Sequence, residues 1–151
     1  MAITERCPTQ DEKVQLFGQL LAVNARLARD LDATLEANCD LPLAWFEVLV
    51  RLHQAPEGRL RVSQIADAIV HSNGGTTRLI DRMERTGLVE RRLCPSDRRA
   101  IHVVITDAGE TRLSEALAVH LDFLDAGLGR RLSAVERESL RTLLAKLGDI
   151  D

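Results

Sequence analysis

The chain is poor in the features that mark secreted, metal-bound or membrane proteins. It holds only three cysteines in 151 residues. Cys7, Cys39 and Cys94 are an odd number at scattered spacings, with no C-x-x-C pair, so no disulfide framework is expected. The four histidines, His53, His71, His102 and His120, never stand at i, i+4 ligand spacing and have no acidic partner in sequence, so no metal is expected. No apolar run approaches the roughly 18 residues that cross a bilayer. The opening residues, MAITERCPTQDEK, lack the basic start, apolar stretch and small-residue cleavage pattern of an export signal. A cytoplasmic protein without a membrane partner is expected. A nucleophile elbow, a phosphate loop and a paired-carboxylate site are also missing, which argues against an enzyme and leaves no cofactor to expect.

What is present is an ordinary globular composition, 45% hydrophobic and 28% charged, in a length suited to one domain spanning 1–151. The net charge of −3 is unhelpful as a sum. Its distribution is informative. Between His71 and Ala100 seven arginines stand against four acids, a local +3 that leaves −6 for the rest. Positive charge gathered in one segment is the electrostatic footprint of a polyanion binder.

Thr9-Gln10-Asp11-Glu12 has the form of a capping box. Beyond it Leu16, Leu20, Val23, Leu27, Leu31 and Leu35 recur at three- and four-residue steps, which predicts a helix to about Glu36. Pro42 breaks the pattern, and Leu43 to His53 resumes it with Trp45, Phe46, Leu49 and Val50. Leu60-Arg61-Val62 suits a small edge strand. Ser63 is positioned to cap a helix from Gln64 to Val70, and Ser72 one from Asn73 to Thr86, which Gly87 stops. Two capped helices around a tight turn are a helix-turn-helix candidate. On the second, Thr76, Leu79, Ile80 and Met83 share one face, which puts Arg78, Asp81, Arg82 and Arg85 on the solvent side. Leu88 to Leu93 and Ala100 to Ile105 read as a hairpin with a basic tip. Thr106 caps a long helix bearing Leu113, Ala116, Leu117, His120, Leu121, Leu124 and Leu128, loosened by Gly127 and Gly129. Ser133-Ala134-Val135-Glu136 is a second capping box opening a last helix. The leucine stripes of the flanking helices exceed what the central unit can cover, so a two-fold dimer is expected.

The stretch from Ser63 to Gly109 resembles the winged-helix core of the MarR family of bacterial transcriptional regulators. Thr77 to Glu84, followed by Gly87-Leu88-Val89-Glu90-Arg91, is similar to the family's recognition helix and its exit into the wing. Asp97-Arg98-Arg99-Ala100, then Ile105-Thr106 and Gly109, resembles the D-x-R-A…L-T-x-x-G pattern, with Ile105 where Leu is usual. The resemblance implies a mainly α fold with a small β-wing. The winged helix-turn-helix at about 41–105 would be flanked by dimerisation helices at about 9–37 and 106–150. It implies a homodimeric, sequence-specific regulator of double-stranded DNA, usually a ligand-responsive repressor on a pseudo-palindromic operator.

In that frame Ser72, Asn73, Gly74, Gly75, Thr76, Thr77, Arg78 and Arg82 form the DNA-contacting part of the recognition helix. Arg78 is the residue expected nearest the bases, where a guanidinium can fork onto guanine. Arg98 and Arg99 suit a narrow minor groove, with Asp97 as brace. Gly74 and Gly75 stand in the helix's first turn, where each costs about 1 kcal/mol against Ala. They either let backbone amides approach a phosphate or reduce base readout. Trp45, the single tryptophan, reads as core with Phe17 and Leu49. Family ligands sit between reading unit and dimer helices, so these three are also the candidate pocket for a small aromatic or phenolic effector. Two alternatives stand beside this reading: an oxidant sensor acting through Cys94, and a winged-helix protein-interaction module that does not bind DNA.

Overall fold

The computed structural model describes residues 11–69, 75–94, 96–97 and 100–148. Helix α1 (Glu12–Cys39) leads into α2 (Leu43–Gln54), a 3-10 turn at Pro56–Gly58 and strand β1 (Arg59–Arg61). Helices α3 (Val62–Ala68) and α4 (Thr76–Arg85) precede the hairpin of β2 (Val89–Leu93) and β3 (Ile101–Ile105). Helix α5 (Asp107–Leu124), a π-helical turn (Asp125–Gly129) and α6 (Ala134–Gly148) complete the chain. The sheet is antiparallel in the order β1-β3-β2, with Leu60 opposite Val103 and Arg91 opposite Val103 on the other side. This is the expected mainly α architecture with a small β-wing.

The core lies where α1, α2 and α5 meet the winged unit. Leu35, Leu41, Val48, Leu49 and Leu52 are fully buried with Ile65, Ile80, Met83 and Val103. Only the second half of the α1 stripe joins this core. Leu31 and Leu35 are buried, whereas Leu16, Leu20 and Val23 are exposed on the protomer.

Several element ends differ from the sequence reading, each for a local reason. The cap of α1 is Asp11, whose carboxylate accepts from Lys13 N–H at 2.8 Å; Thr9 lies outside the described residues. At its other end α1 runs on to Cys39, where Asp40 turns left-handed at φ 50°. Pro42 has no side-chain acceptor, so α2 is capped from α1 instead, Asp32 accepting the Leu43 N–H at 2.7 Å. Helix α3 begins before Ser63, with the Gln64 side chain reaching back to the Arg61 N–H. Helix α4 begins at Thr76, not Asn73. Gly75 is its N-cap at φ 76°, a left-handed conformation that side chains disfavour. Gly75 is therefore not in the first helical turn, and the helix-interior penalty expected there does not apply.

The other caps follow the sequence. After α4, Gly87 at φ 77° closes a Schellman motif, with Leu88 N–H on Met83 O and Gly87 N–H on Glu84 O. Thr106 Oγ1 accepts from Gly109 N–H at 3.0 Å and donates to Gly87 O at 2.6 Å. Ser133 and Glu136 form the reciprocal box at α6.

Candidate nucleic-acid interface

Helix α4 is amphipathic in the required sense. Thr76, Leu79, Ile80 and Met83 are buried against the core, and Thr77, Arg78, Arg82 and Arg85 are exposed. Thr76 is 9% exposed, so it faces inward and is corrected from a DNA contact to a packing residue. Among the described residues Arg78, Arg82 and Arg85 make no ion pair, which leaves three guanidinium groups on one helical face. Ser72, Asn73 and Gly74 lie outside the described residues.

The acids on the same helix are held back. Arg91, on β2, donates from Nη2 to Asp81 at 2.7 Å and from Nη1 to Glu84 at 2.6 Å. Its backbone N–H donates to the other Glu84 oxygen at 2.9 Å. These bonds, the backbone one foremost, hold the Glu84 carboxyl below its ordinary value of 4.5. Sequence reading missed this clamp. Its signal was the basic residue ten positions beyond Asp81 and seven beyond Glu84, which no helical or strand periodicity connects.

At the wing, Cys94 N–H donates to Ala100 O, and Ala100 N–H to Asp97 O, both at 2.9 Å. Asp97 is exposed in this turn. Arg98 and Arg99 lie outside the described residues. Cys94 is buried with Sγ 3.2 Å from Ser96 Oγ, and that hydrogen bond lowers the thiol pKa. The outward face of the sheet carries further basic residues, of which Arg92 belongs to the arginine cluster counted in the sequence and Arg61 lies outside it. Arg61 and Arg92 flank His102 on the neighbouring strands.

The candidate effector pocket is relocated. Phe17 is 62% exposed, Trp45 is half-buried and Leu49 is fully buried, and none of them lines the cavity between α1, α2 and α5. That cavity, of about 220 Å³, is lined by Leu27, Leu31, Phe46, Glu47, His120 and Phe123 among others. The Phe46 and His120 rings lie 5.1 Å apart at 43°. Burial lowers the His120 pKa from 6.5, which favours the neutral imidazole. The cavity's lining comes from different helices whose relative rotation is a tertiary property, which sequence periodicity does not identify.

Among the described residues no group of His, Cys, Asp and Glu could hold a metal, and no helix is long and apolar enough to cross a membrane.

A short strand, two successive short helices, a hairpin and a long helix packed behind them define a winged helix-turn-helix protein. Residues 40–100 match the family model described as MarR family. A cysteine-to-serine mutant of MarR from E. coli, complexed with operator DNA, is 26% identical with a TM-score of 0.80, covering 95% of this chain and 99% of that one. AbsC, a MarR family transcriptional regulator from Streptomyces coelicolor, is 27% identical with a TM-score of 0.78, covering 92% and 94%. A further MarR family regulator from Streptomyces coelicolor, solved in complex with DNA, shares the fold at a TM-score of 0.81 and 24% identity, covering 96% and 91%. Residues 40–100 thus match the MarR family model, and the chain as a whole shares the fold of MarR family transcriptional regulators.

Proposed function

We propose that two copies of this chain bind double-stranded DNA at a pseudo-palindromic operator and repress transcription in the cytoplasm. The observation that carries the reading is the face of Thr77, Arg78, Arg82 and Arg85 on α4, whose neighbouring acids are held by Arg91 and which is set beside the wing. A helix so charged suits the major groove, where its leading residues reach base edges. Arg78 is assigned to base contact and Arg82 to the backbone or a base. Asp97, Arg98 and Arg99 are assigned to the wing's contact, and Ser72, Asn73, Gly74 and Gly75 to the approach of the helix start. That a MarR mutant of the same fold is complexed with operator DNA supports the reading.

Dimerisation is supported by apolar surface that a lone protomer leaves in water. Leu16, Phe17 and Leu21 on α1, Leu121 on α5, and Leu143 and Leu147 on α6 are all more than half exposed. The effector is a small aromatic or phenolic molecule in the cavity beside Phe46, His120 and Phe123. Its occupancy would alter how the dimer helices carry the two reading heads and lower operator affinity.

The test is a mobility shift with promoter DNA at two salt concentrations. A regulator of this kind loses affinity steeply as salt rises, because bound arginines release counterions. No shift at either concentration would favour the protein-interaction module. A second reading rests on the lowered pKa of Cys94: peroxide would release DNA from the wild type and not from Cys94→Ser, and equal responses would remove it.

A further inference from the structure

Asp81 occupies an awkward position for a helix that meets DNA. It lines one shallow surface depression with Arg78, Arg82 and Arg85. Arg78 is three residues before it and Arg85 four after, the spacings at which side chains pair along a helix. Yet its carboxylate is bonded to neither. It is taken by Arg91, which reaches across from β2 and holds Glu84 with its other nitrogen. Arg91 sits on the inward face of the wing sheet, in register with buried Val103. Its side chain is 24% exposed, against 41% and 38% for the two acids.

We propose that Arg91 is a positioning residue for DNA binding: by capturing Asp81 it keeps that carboxylate from pairing with Arg78 and Arg85, and by holding Glu84 it anchors its own guanidinium against α4, so that the helix presents its arginines unpaired. The inference rests on the DNA-binding reading above. A partly buried guanidinium with two forked partners holds acids better than an exposed arginine on the same helix, because its bonds are less screened and its geometry is fixed by the strand. The backbone N–H of Arg91 adds a second tie to Glu84, so the helix and the wing share one electrostatic joint.

The experiment uses the full chain and a labelled duplex enriched from random sequence by the wild type. Arg91→Met frees both acids, and its affinity is expected to fall about tenfold or more, within the range of coupled charge networks. Adding Asp81→Asn and Glu84→Gln to Arg91→Met removes the competing carboxylates and is expected to bring affinity back to within roughly threefold of wild type, although Arg91 is still missing. Circular dichroism and melting temperature establish that each variant is folded. A folded Arg91→Met that binds like wild type overturns the inference. So does a folded triple variant that stays as weak as the single one, since a purely structural joint is not restored by deleting its other half. If the wild type enriches no duplex at all, the DNA-binding reading itself fails and takes this inference with it. Wild-type binding with no Arg91 effect removes the inference alone.

Discussion

Gly109→Ala tests how α5 is seated on the reading unit. Gly109 is buried in the first turn of α5, and a Cβ built on it would fall on the carbonyl oxygen of Leu88, with Ile105 Cγ1 at 2.8 Å and the Leu88 carbonyl carbon at 3.2 Å. The main obstacle is backbone, and it is already committed: Leu88 O accepts from Thr106 N–H at 3.1 Å. Neither side can rotate away, so α5 must lift. Overpacking costs about 1–3 kcal/mol, and a backbone obstacle places this site at the upper end. Alanine's better helix propensity offsets at most about 1 kcal/mol. The net is a destabilisation of about 2 kcal/mol, a melting temperature lower by roughly 4–8 °C for a chain of this size. Thermal unfolding followed by far-UV circular dichroism, at one fixed protomer concentration, measures it. A variant as stable as wild type would refute the claim that the glycine is required by close approach.

Asp32→Ala removes the acceptor that caps α2 from α1, and a loss of about 1 kcal/mol is expected in urea unfolding. For His120, burial depresses the folded pKa below 6.5. The unfolded chain therefore binds more protons just below pH 6.5, and stability falls as pH drops from 6.5 towards the folded value. His120→Gln should flatten that part of the stability-against-pH curve, and an unchanged slope would show that the imidazole is not desolvated. Leu121→Glu places a charge on an exposed leucine of the proposed dimer seam. Sedimentation should show monomers at concentrations where the wild type is dimeric.

Local chemistry was legible in the sequence wherever one segment carries its own signal. Periodicity gave the helices, Gly87 and Thr106 the stops and starts around the wing, and the arginine cluster the basic face of α4, because each depends on residues a few positions apart. The inward face of α4 was readable for the same reason: Thr76, Leu79, Ile80 and Met83 repeat at helical spacing, and all four are buried. The start of α4 was misplaced because a glycine can serve as a left-handed cap, and nothing in the string distinguishes that role from a weak first turn.

Tertiary structure alone decided what faces what across elements. It set Arg91 against Asp81 and Glu84, since a strand and a helix meet at a distance no periodicity encodes. It supplied from Asp32 the cap that Pro42 cannot give. It also built the cavity from Phe46, His120 and Phe123 rather than from Phe17, Trp45 and Leu49. Hydrophobic burial is non-directional, so a sequence marks which side chains leave water, while the rotation and approach of packed helices choose which of them meet.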